Sequence, residues 1–249
     1  MKRLLFSGFL ILAVNLIFSQ TLSVHKKDQS KVDIPLMQID SITFSPVVQD
    51  VDGNYYQTAQ IGTQLWMAEN LKTTKYNDGS PIPTETDNTI WSTMTTPAYC
   101  WYDNDETNNK PFYGALYNWY TINTGNLCPS GWHVPSDDEW KTLEIFLGMS
   151  QLGADSIGYR GTNQGGKLKE AGTIHWWSPN TGADNSSGFT ALGGGYRYGG
   201  YDGTFYQLGH YGVFWASNGF YRHVMSERSD ISRTDANKSY GYSVRCLKN

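Results

Sequence analysis

Closely spaced turn signals constrain this chain more than any other feature of its sequence. Asp52-Gly53, Asn77-Asp78-Gly79 and Asp202-Gly203 are typical of tight turns, and they separate short segments rather than long periodic ones. The 249 residues include 26 glycines but are 39% hydrophobic and 17% charged, which is enough apolar material for a core and excludes disorder over most of the length. We therefore expect many short strands joined by irregular loops.

The amino terminus has the composition of a secretory signal peptide. Lys2 and Arg3 precede an apolar stretch over residues 4–18, and the chain becomes polar at Ser19. A membrane anchor is the alternative, but a spanning helix needs about 20 apolar residues. We predict a signal peptide over residues 1–19, no transmembrane segment in the mature chain, and a secreted, periplasmic or cell-surface location.

The charge balance bears on the class of partner. Nineteen Lys and Arg residues stand against 23 Asp and Glu residues, for a net charge of −4. Binding to nucleic acid needs a basic surface that neutralises phosphates. The sequence therefore predicts no nucleic-acid partner.

Export permits disulfide bonds, and the chain has three cysteines, so one is left over. Cys128 lies at a turn and Cys246 lies near the end of the sequence, so a bridge between them would enclose nearly half of the chain. Cys100 lies within an apolar and aromatic run and is more simply a buried free thiol. We predict the disulfide Cys128–Cys246.

The region between the signal peptide and Pro46 has its own pattern. Leu22 to His25 and Val32 to Leu36 alternate apolar and polar residues on either side of a polar stretch, which predicts a hairpin. Residues 20–46 are too few to fold alone. They form either a β arm packed on the main domain or a tether.

One helix has clear start and stop signals. Ser136 is a good N-cap, Glu139 completes a capping box, and Gly148 can end the helix. The side chains expected on its core face are Trp140, Leu143 and Leu147, with Phe146 beside them. Residues 115–120 have no clean period and fit a strand or a helix, and residues 173–200 predict a long ordered loop followed by a strand.

Several segments match one family when they are taken together and in order. They are Asp52-Gly53-Asn54-x-Tyr56, Ile61-Gly62-x-Gln64-x-Trp66-Met67-Ala68-Glu69-Asn70-Leu71, Tyr113-Gly114-x-Leu116-Tyr117-x-Trp119, Cys128-Pro129-Ser130-Gly131-Trp132-His133-Val134-Pro135-Ser136-Asp137-x-Glu139-Trp140 and Gly241-Tyr242-Ser243-Val244-Arg245-Cys246. Residues 49–247 thus closely resemble the Fibrobacter succinogenes major paralogous domain. The resemblance implies a secreted or cell-surface domain with no established activity.

Two of these segments, Trp132-His133-x-Pro135-Ser136-x-x-Glu139-Trp140 and Ser243-Val244-Arg245-Cys246, are distantly similar to formylglycine-generating-enzyme-like domains, which share the C-type-lectin-like architecture. This resemblance implies an α+β, C-type-lectin-like fold with short mixed strands, long ordered loops and one or two helices. It does not by itself settle function. The enzymes of that group use a cysteine-based copper site near the carboxyl terminus, whereas residues 214–245 here have no cysteine.

Catalytic patterns are weak in this sequence. It contains no His-Glu-x-x-His and no Gly-x-Ser-x-Gly motif. The spacing Ser23-x-x-Lys26 matches a Ser/Lys pattern by chance alone, and His133 with Glu139 is better explained by a turn and a helix cap than by a catalytic pair. The sequence predicts no catalytic residue and favours a protein that is not an enzyme.

An oxygen-rich run could in principle hold calcium. Its members are Asp103, Asn104, Asp105, Glu106, Asn108 and Asn109. The run lacks a glycine-centred twelve-residue calcium loop, and the lectin motifs Glu-Pro-Asn and Gln-Pro-Asp are absent from the sequence. We predict a solvated acidic loop, no metal site and no cofactor, with calcium as the alternative.

The surplus of aromatic residues in glycine- and asparagine-rich loops is the most suggestive functional feature. Such side chains can dock the CH surface of a sugar ring and hydrogen-bond its hydroxyls through adjacent polar groups. The candidate ligand-binding residues are Trp101, Tyr102, Asp103, Asp105, Trp176 and Trp177; further loop aromatics are Tyr201, Phe205, Tyr206, Trp215 and Tyr221. For each aromatic taken alone, a place in the core is the simpler explanation.

The leading hypothesis is a non-enzymatic extracellular binding or adhesion domain whose ligand is a glycan or a surface protein. The alternative is an exported enzyme of unrecognised type on a formylglycine-generating-enzyme-like scaffold. A purely structural envelope component is a third reading. Converged His, Asp or Glu in a polar pocket would favour catalysis, and an aromatic patch would favour binding.

Overall fold

The computed structural model describes residues 21–25, 30–38 and 46–249, which separate into two compact units divided between Phe44 and Ser45. The predicted signal peptide over residues 1–19 lies outside the described residues, as does Lys26. No helix in the described part of the chain has the length and apolar character needed to cross a membrane.

The amino-terminal unit contains the predicted hairpin. Strand β1 (Thr21–His25) pairs antiparallel with β2 (Lys31–Pro35), and a 3-10 turn, Leu36–Gln38, follows.

The larger unit is built mostly of short strands. They are β3 (Val47–Gln49), β4 (Tyr55–Ile61), β5 (Gln64–Met67), β6 (Tyr99–Cys100), β7 (Leu116–Tyr117), β8 (Trp132–His133), β9 (Gly158–Arg160), β10 (Gly194–Arg197), β11 (Phe205–Leu208), β12 (Tyr211–Trp215), β13 (Phe220–Met225), β14 (Ile231–Asp235) and β15 (Leu247–Lys248). The helices are α1 (Asn88–Ser92), α2 (Glu106–Tyr113), α3 (Trp119–Ile122), α4 (Asp137–Phe146), α5 (Gln151–Asp155) and α6 (Gln164–Leu168). The fold is therefore mixed α+β with mostly strands, as predicted.

Two sheets organise this unit. The larger has the order β11-β10-β12-β13-β14-β9, in which the β10–β12 pair is parallel. The smaller has the order β3-β4-β5-β15-β8. Leu247 pairs with Trp66 on one side and with His133 on the other, so the tail of the chain lies between β5 and β8.

The returning tail brings the two predicted cysteines together. Cys128 and Cys246 form a disulfide with a Cα–Cα distance of 6.0 Å, and Cys100 is a buried free thiol. Both predictions are confirmed. Burial raises the pKa of the Cys100 thiol to about 12, so this group stays protonated.

The predicted helix is α4, and its start is confirmed in detail. The Ser136 side chain accepts from the Glu139 N–H, and the Glu139 carboxylate accepts from the Ser136 N–H. Trp140, Leu143 and Leu147 are buried as expected. Phe146 was expected beside this core face, but this expectation is wrong, because 62% of the residue is exposed.

Two other sequence predictions need correction. The described residues contain six α-helices rather than one or two, because short capped turns supply several of them. The acidic run is not a loop, since Asp105 caps α2 by accepting from the Asn108 N–H.

The ambiguous residues 115–120 divide between β7 and α3, and residues 173–193 form the predicted ordered loop ahead of β10.

The six-stranded sheet separates two apolar cores. Phe214 and Val224 pack with Trp140 of α4 in one core. Val213 and Trp215 pack with Tyr242 in the other. Alternate residues of a strand point to opposite faces, so neighbours on β12 belong to different cores.

Candidate functional site

A pocket ringed by tyrosines lies on the second of these faces. We call it the tyrosine cup; its lining residues are Tyr196, Tyr198, Tyr211, Val213, Tyr221, His223, Tyr240 and Tyr242. The cavity volume is about 100 Å³. Tyr242 and His223 are buried, and the other tyrosines of the cup are half-buried.

Period-two spacing places these side chains together. Tyr196-Arg197-Tyr198, Tyr211-Gly212-Val213, Tyr221-Arg222-His223 and Tyr240-Gly241-Tyr242 each put two lining residues on one face of an extended segment. The segment 240–243 runs beside β10 and β12, since Gly241 bridges Arg197 and Ser243 bridges Phe214. Four separate stretches of chain thus converge on one pocket.

The aromatic rings of the cup contact one another in a closed circuit. The order is Tyr196, Tyr211, His223, Tyr221, Tyr242 and Tyr240, and the centroid distances between neighbours range from 4.9 to 6.2 Å. The His223 ring is stacked between Tyr211 and Tyr221, at interplanar angles of 4° and 22°. Because both of its faces are covered, His223 offers a ligand only an edge.

Burial shifts the pKa of several titratable groups of the cup in the direction that favours the neutral form. It raises the pKa of Tyr196 to about 12 and also raises the pKa of Tyr211, Tyr221 and Tyr242. It lowers the pKa of His223 to about 4. The His223 Nε2 atom lies 2.9 Å from the Tyr159 hydroxyl. Near pH 7 the lining therefore presents neutral rings and protonated hydroxyls.

The opposite face of the same sheet carries a buried charge network. Arg222 Nε donates to Glu144 at 2.7 Å, and its Nη1 donates to Asp137 at 2.8 Å. Arg233 donates to Asp137 at 2.6 Å, and Arg160 donates to Glu144 at 2.5 Å. Burial opposes ionisation of Asp137, but the hydrogen bonds from Arg233 and Arg222 outweigh it and hold its pKa well below the usual range.

The aromatic residues predicted from the sequence lie in different places. Trp101, Tyr102 and Trp176 are 7%, 6% and 3% exposed and belong to three separate apolar clusters. Trp177 is 56% exposed. The structure does not bring these four side chains into one site.

The two predicted carboxylates have local contacts. Asp105 accepts from the Asn108 backbone N–H at 3.0 Å and from its side-chain amide at 2.6 Å. Burial and the neighbouring Asp105 charge raise the pKa of Asp103. Within the described residues, no group of three or more His, Cys, Asp or Glu side chains is arranged to hold a metal ion.

Among the residues that the structure describes, three His–Glu pairs occur outside the cup. The sequence pair His133 and Glu139 is one of them, with Nε2 2.9 Å from the carboxylate, and Glu139 also serves the capping box. His210 contacts Glu227. His175 lies 2.9 Å from Glu170 and lines a second cavity of about 230 Å³ that Trp177 also lines.

Among the aromatics singled out in the sequence, only Tyr221 lines the cup. The composition of the loops drew attention to the aromatic residues there. It did not point to Tyr196, Tyr211 and Tyr240. Each of these is followed two residues later by a second lining residue, which is Tyr198, Val213 and Tyr242 respectively. The usable signal was a tyrosine followed two residues later by a second aromatic ring, at 196/198, 221/223 and 240/242, because this spacing marks one face of an extended segment.

Comparison with known families assigns most of the chain to one family. The family model of the Fibrobacter succinogenes major domain matches residues 59–248. The chain belongs to this family. No curated protein and no solved structure matches the chain.

In this Fibrobacter succinogenes major domain, the closing Ser-Val-Arg-Cys segment holds the scaffold. Arg245 is fully buried, and its guanidinium donates to Asn70 Oδ1 at 2.6 Å and to the carbonyl oxygens of Phe189 and Thr190. Cys246 forms the disulfide. The terminal motif of the domain thus ties three distant segments together, and the cup lies beside it.

Proposed function

We propose that this protein is an extracellular, non-enzymatic binding domain that recognises a neutral glycan at the tyrosine cup. The observation that carries the proposal is the lining of the cup, which combines aromatic rings with hydroxyls that stay protonated. Tyrosine offers a large apolar area and a hydrogen-bonding group at a low cost in conformational entropy. Sugars have the matching combination of CH surfaces and hydroxyls.

The charge of the lining supports a neutral ligand. Burying an ion costs free energy unless a partner charge or several hydrogen bonds compensate it. The cup supplies no side chain that is charged near pH 7, since the pKa of His223 is lowered to about 4. An uncharged polyhydroxylated ligand fits this lining better than a phosphate or a carboxylate.

The size of the cup supports partial rather than complete enclosure. A cavity of about 100 Å³ is small beside the roughly 300–1,000 Å³ typical of sites that bury a whole small ligand. The ligand would place one sugar edge in the cup and leave the rest exposed. This mode suits adhesion to a surface polysaccharide, consistent with the secreted or cell-surface location that we propose.

We also propose a C-type-lectin-like architecture for residues 49–247. The support is the mixed α+β fold, the long ordered loop ahead of β10, and the tail strand that lies between β5 and β8. In the proposed scaffold the binding face lies on strands β10, β12 and β13 of the six-stranded sheet.

Glycan-array binding of the purified exported chain, with and without calcium, tests the function. We expect binding to neutral glycans that does not depend on calcium, and we expect loss of that binding in Tyr221→Ala. Tyr55→Ala is the matched control, because Tyr55 is an exposed tyrosine on β4 outside the cup. Silence across neutral glycans, or unchanged binding by Tyr221→Ala, would contradict the proposal.

An exported enzyme is the second candidate, and the His175–Glu170 pair favours it. His175 lines the cavity that Trp176, Trp177 and Thr173 also line, and Glu170 contacts its ring from outside that lining. A carboxylate can orient an imidazole that acts as a general base. Screening the exported chain against glycoside and ester substrates tests this reading. Activity that disappears in Glu170→Gln while glycan binding persists would support an enzyme.

A further inference from the structure

A continuous row of rings extends from both sides of the cup to exposed residues. We call it the aromatic band; its members in order are Trp177, His210, Tyr211, Tyr196, Tyr198 and Tyr201. The centroid distances along it are 5.2, 4.6, 6.2, 6.3 and 5.7 Å. Trp177 is 56% exposed at one end and Tyr201 is 78% exposed at the other.

The Trp177 end is held in place rather than left mobile. Its indole stacks on the His210 ring at an interplanar angle of 8°, and its backbone N–H donates to the Gly209 carbonyl at 2.7 Å. Gly209 has a positive φ of 76°, and a Cβ there would lie 2.6 Å from the indole, so only glycine permits this contact.

His210 is fixed in turn from both sides of its ring. Its Nδ1 lies 2.6 Å from Gln207 Oε1, and its Nε2 contacts the Glu227 carboxylate. A large exposed aromatic side chain in a fixed orientation is a preorganised platform, because little conformational entropy remains to be lost on binding.

The opposite end of the band is reached through ring contacts. Tyr201 packs edge-on against Tyr198, and Tyr206 stacks on Tyr196 at 30°. The Tyr206 hydroxyl donates to Asp202 at 2.5 Å. The cup therefore lies between two exposed aromatic ends, and both ends are connected to it through ring contacts.

We infer that the aromatic band binds an extended neutral oligosaccharide, with one sugar unit in the cup and flanking units on Trp177 and Tyr201. This inference rests on the proposed function, since it names the length and course of the same ligand. A single sugar in the cup would leave the exposed rings of Trp177 and Tyr201 unused, although both are joined to the cup by ring contacts. A linear chain would contact the successive rings in order.

Titration of the exported chain by calorimetry with length series of neutral oligosaccharides tests the inference. The probes are β-1,4-linked glucose, β-1,4-linked xylose and α-1,4-linked glucose, each from one to six units. We expect affinity for the bound series to rise about tenfold or more between the monosaccharide and the longest oligomer, since each added platform contributes of the order of a tenfold gain. The tryptophan fluorescence that Trp177→Ala removes should change with the long oligomers and not with the monosaccharide.

The variants separate the ends of the band from the cup. Trp177→Ala and Tyr201→Ala should remove most of the gain with length and leave monosaccharide affinity within about twofold, whereas Tyr221→Ala should weaken every length. Tyr55→Ala should change neither. Circular dichroism of each variant shows that it is folded.

The outcomes distinguish this inference from the proposed function. Equal affinity at every length, or a gain with length that survives both end variants, would overturn the extended-ligand inference alone. Absence of binding to all three series, together with a silent array, would overturn both. Retention of a glycoprotein after its glycans are enzymatically removed would identify a polypeptide ligand and would also overturn the inference.

Discussion

The six-stranded sheet meets different environments on its two faces, and three adjacent residues of β13 show the contrast. Tyr221 and His223 point into the half-buried cup, where every titratable side chain with a shifted pKa is held in its neutral form. Arg222, between them, is fully buried on the other face and is paired with Asp137 and Glu144. Because successive side chains of a strand point to opposite faces, β13 places neutral groups on one side of the sheet and a charged group on the other.

From this contrast we infer that the charged face stabilises the fold and that the aromatic face binds the ligand. Buried ion pairs add little net stability compared with apolar packing, but breaking one is costly because a partner charge is left buried. The network therefore enforces one position of α4 on the sheet. The cup has few such constraints, so its side chains are expected to tolerate substitution and to determine ligand affinity.

Removal of the Glu144 carboxylate should have the largest effect. Glu144→Leu leaves Arg160, which is only 6% exposed, without its carboxylate partner, and the free energy of unfolding should fall by about 3–5 kcal/mol. Urea unfolding measures the change. Glu106→Leu is the matched control, because its i,i+4 pair with Lys110 is largely solvent-exposed and should contribute less than about 1 kcal/mol. A similar loss in both variants would show that burial of the network is unimportant.

Loss of the disulfide should cause the next largest fall in the free energy of unfolding. The aromatic face should lose its protection before the charged face does. Cys128 and Cys246 belong to the same core as the cup tyrosines and are 118 positions apart in sequence. Replacing both by Ala should cost about 2–4 kcal/mol by relieving the constraint on the unfolded chain. Hydrogen exchange should increase around residues 240–246 before it increases in α4.

Cysteine labelling provides the control for the disulfide experiment. Cys100 is buried and protonated, so it should react with an alkylating reagent only after unfolding, and Cys100→Ala should cost less than the double substitution. Intact mass before and after reduction should report one bridge. Three reactive thiols in the folded protein would contradict the covalent link.

Acid should affect the two faces in different pH ranges. The pKa of His223 is near 6.5 in the unfolded chain and is lowered to about 4 by burial in the fold, so between these values the unfolded state binds more protons. Stability should therefore fall by roughly 3 kcal/mol as the pH decreases from about 6.5 to 4. Asp137, whose pKa is lowered, retains its contribution in this range and loses it only below about pH 4, as its carboxylate is protonated.

His223→Phe isolates the aromatic-face contribution. Phenylalanine keeps a ring between Tyr211 and Tyr221 but cannot take up a proton. The free energy of unfolding of this variant should no longer fall between about pH 6.5 and 4, but it should still fall at lower pH, when it is measured from pH 7 to 3. A variant with the wild-type profile would show that His223 is not the titrating group.

Local signals predicted local structure well in this chain. The capping box defined α4, and the cysteine arrangement gave the disulfide. Glu144 shows the limit of such signals. It lies four residues after Trp140 and therefore on the apolar face of α4, but its partners, Arg160 and Arg222, lie on strands whose register no local pattern specifies.

The cup was missed for a related reason. Its tyrosines come from four segments between residues 196 and 242, and only the sheet order brings those segments side by side. The period-two spacing within each segment indicates a shared face, but it does not indicate which segments are neighbours. Asp137 shows the same limit, because it is the first residue of α4 but its carboxylate binds two arginines of the sheet.

Removal of a single cup hydroxyl should have the smallest effect on folding and is the finest test of the contrast between the faces. Tyr221→Phe keeps the ring that contacts His223 and Tyr242, so the ring circuit is preserved. Because the hydroxyl is in a half-buried pocket, its loss should change the free energy of unfolding by no more than about 1 kcal/mol. The same substitution should weaken binding of the neutral glycan severalfold, since one ligand hydrogen bond is lost. Urea unfolding and calorimetric titration of the one variant measure both quantities. A destabilisation as large as that of Glu144→Leu, with unchanged affinity, would place the tyrosine in the scaffold and remove the functional distinction between the two faces.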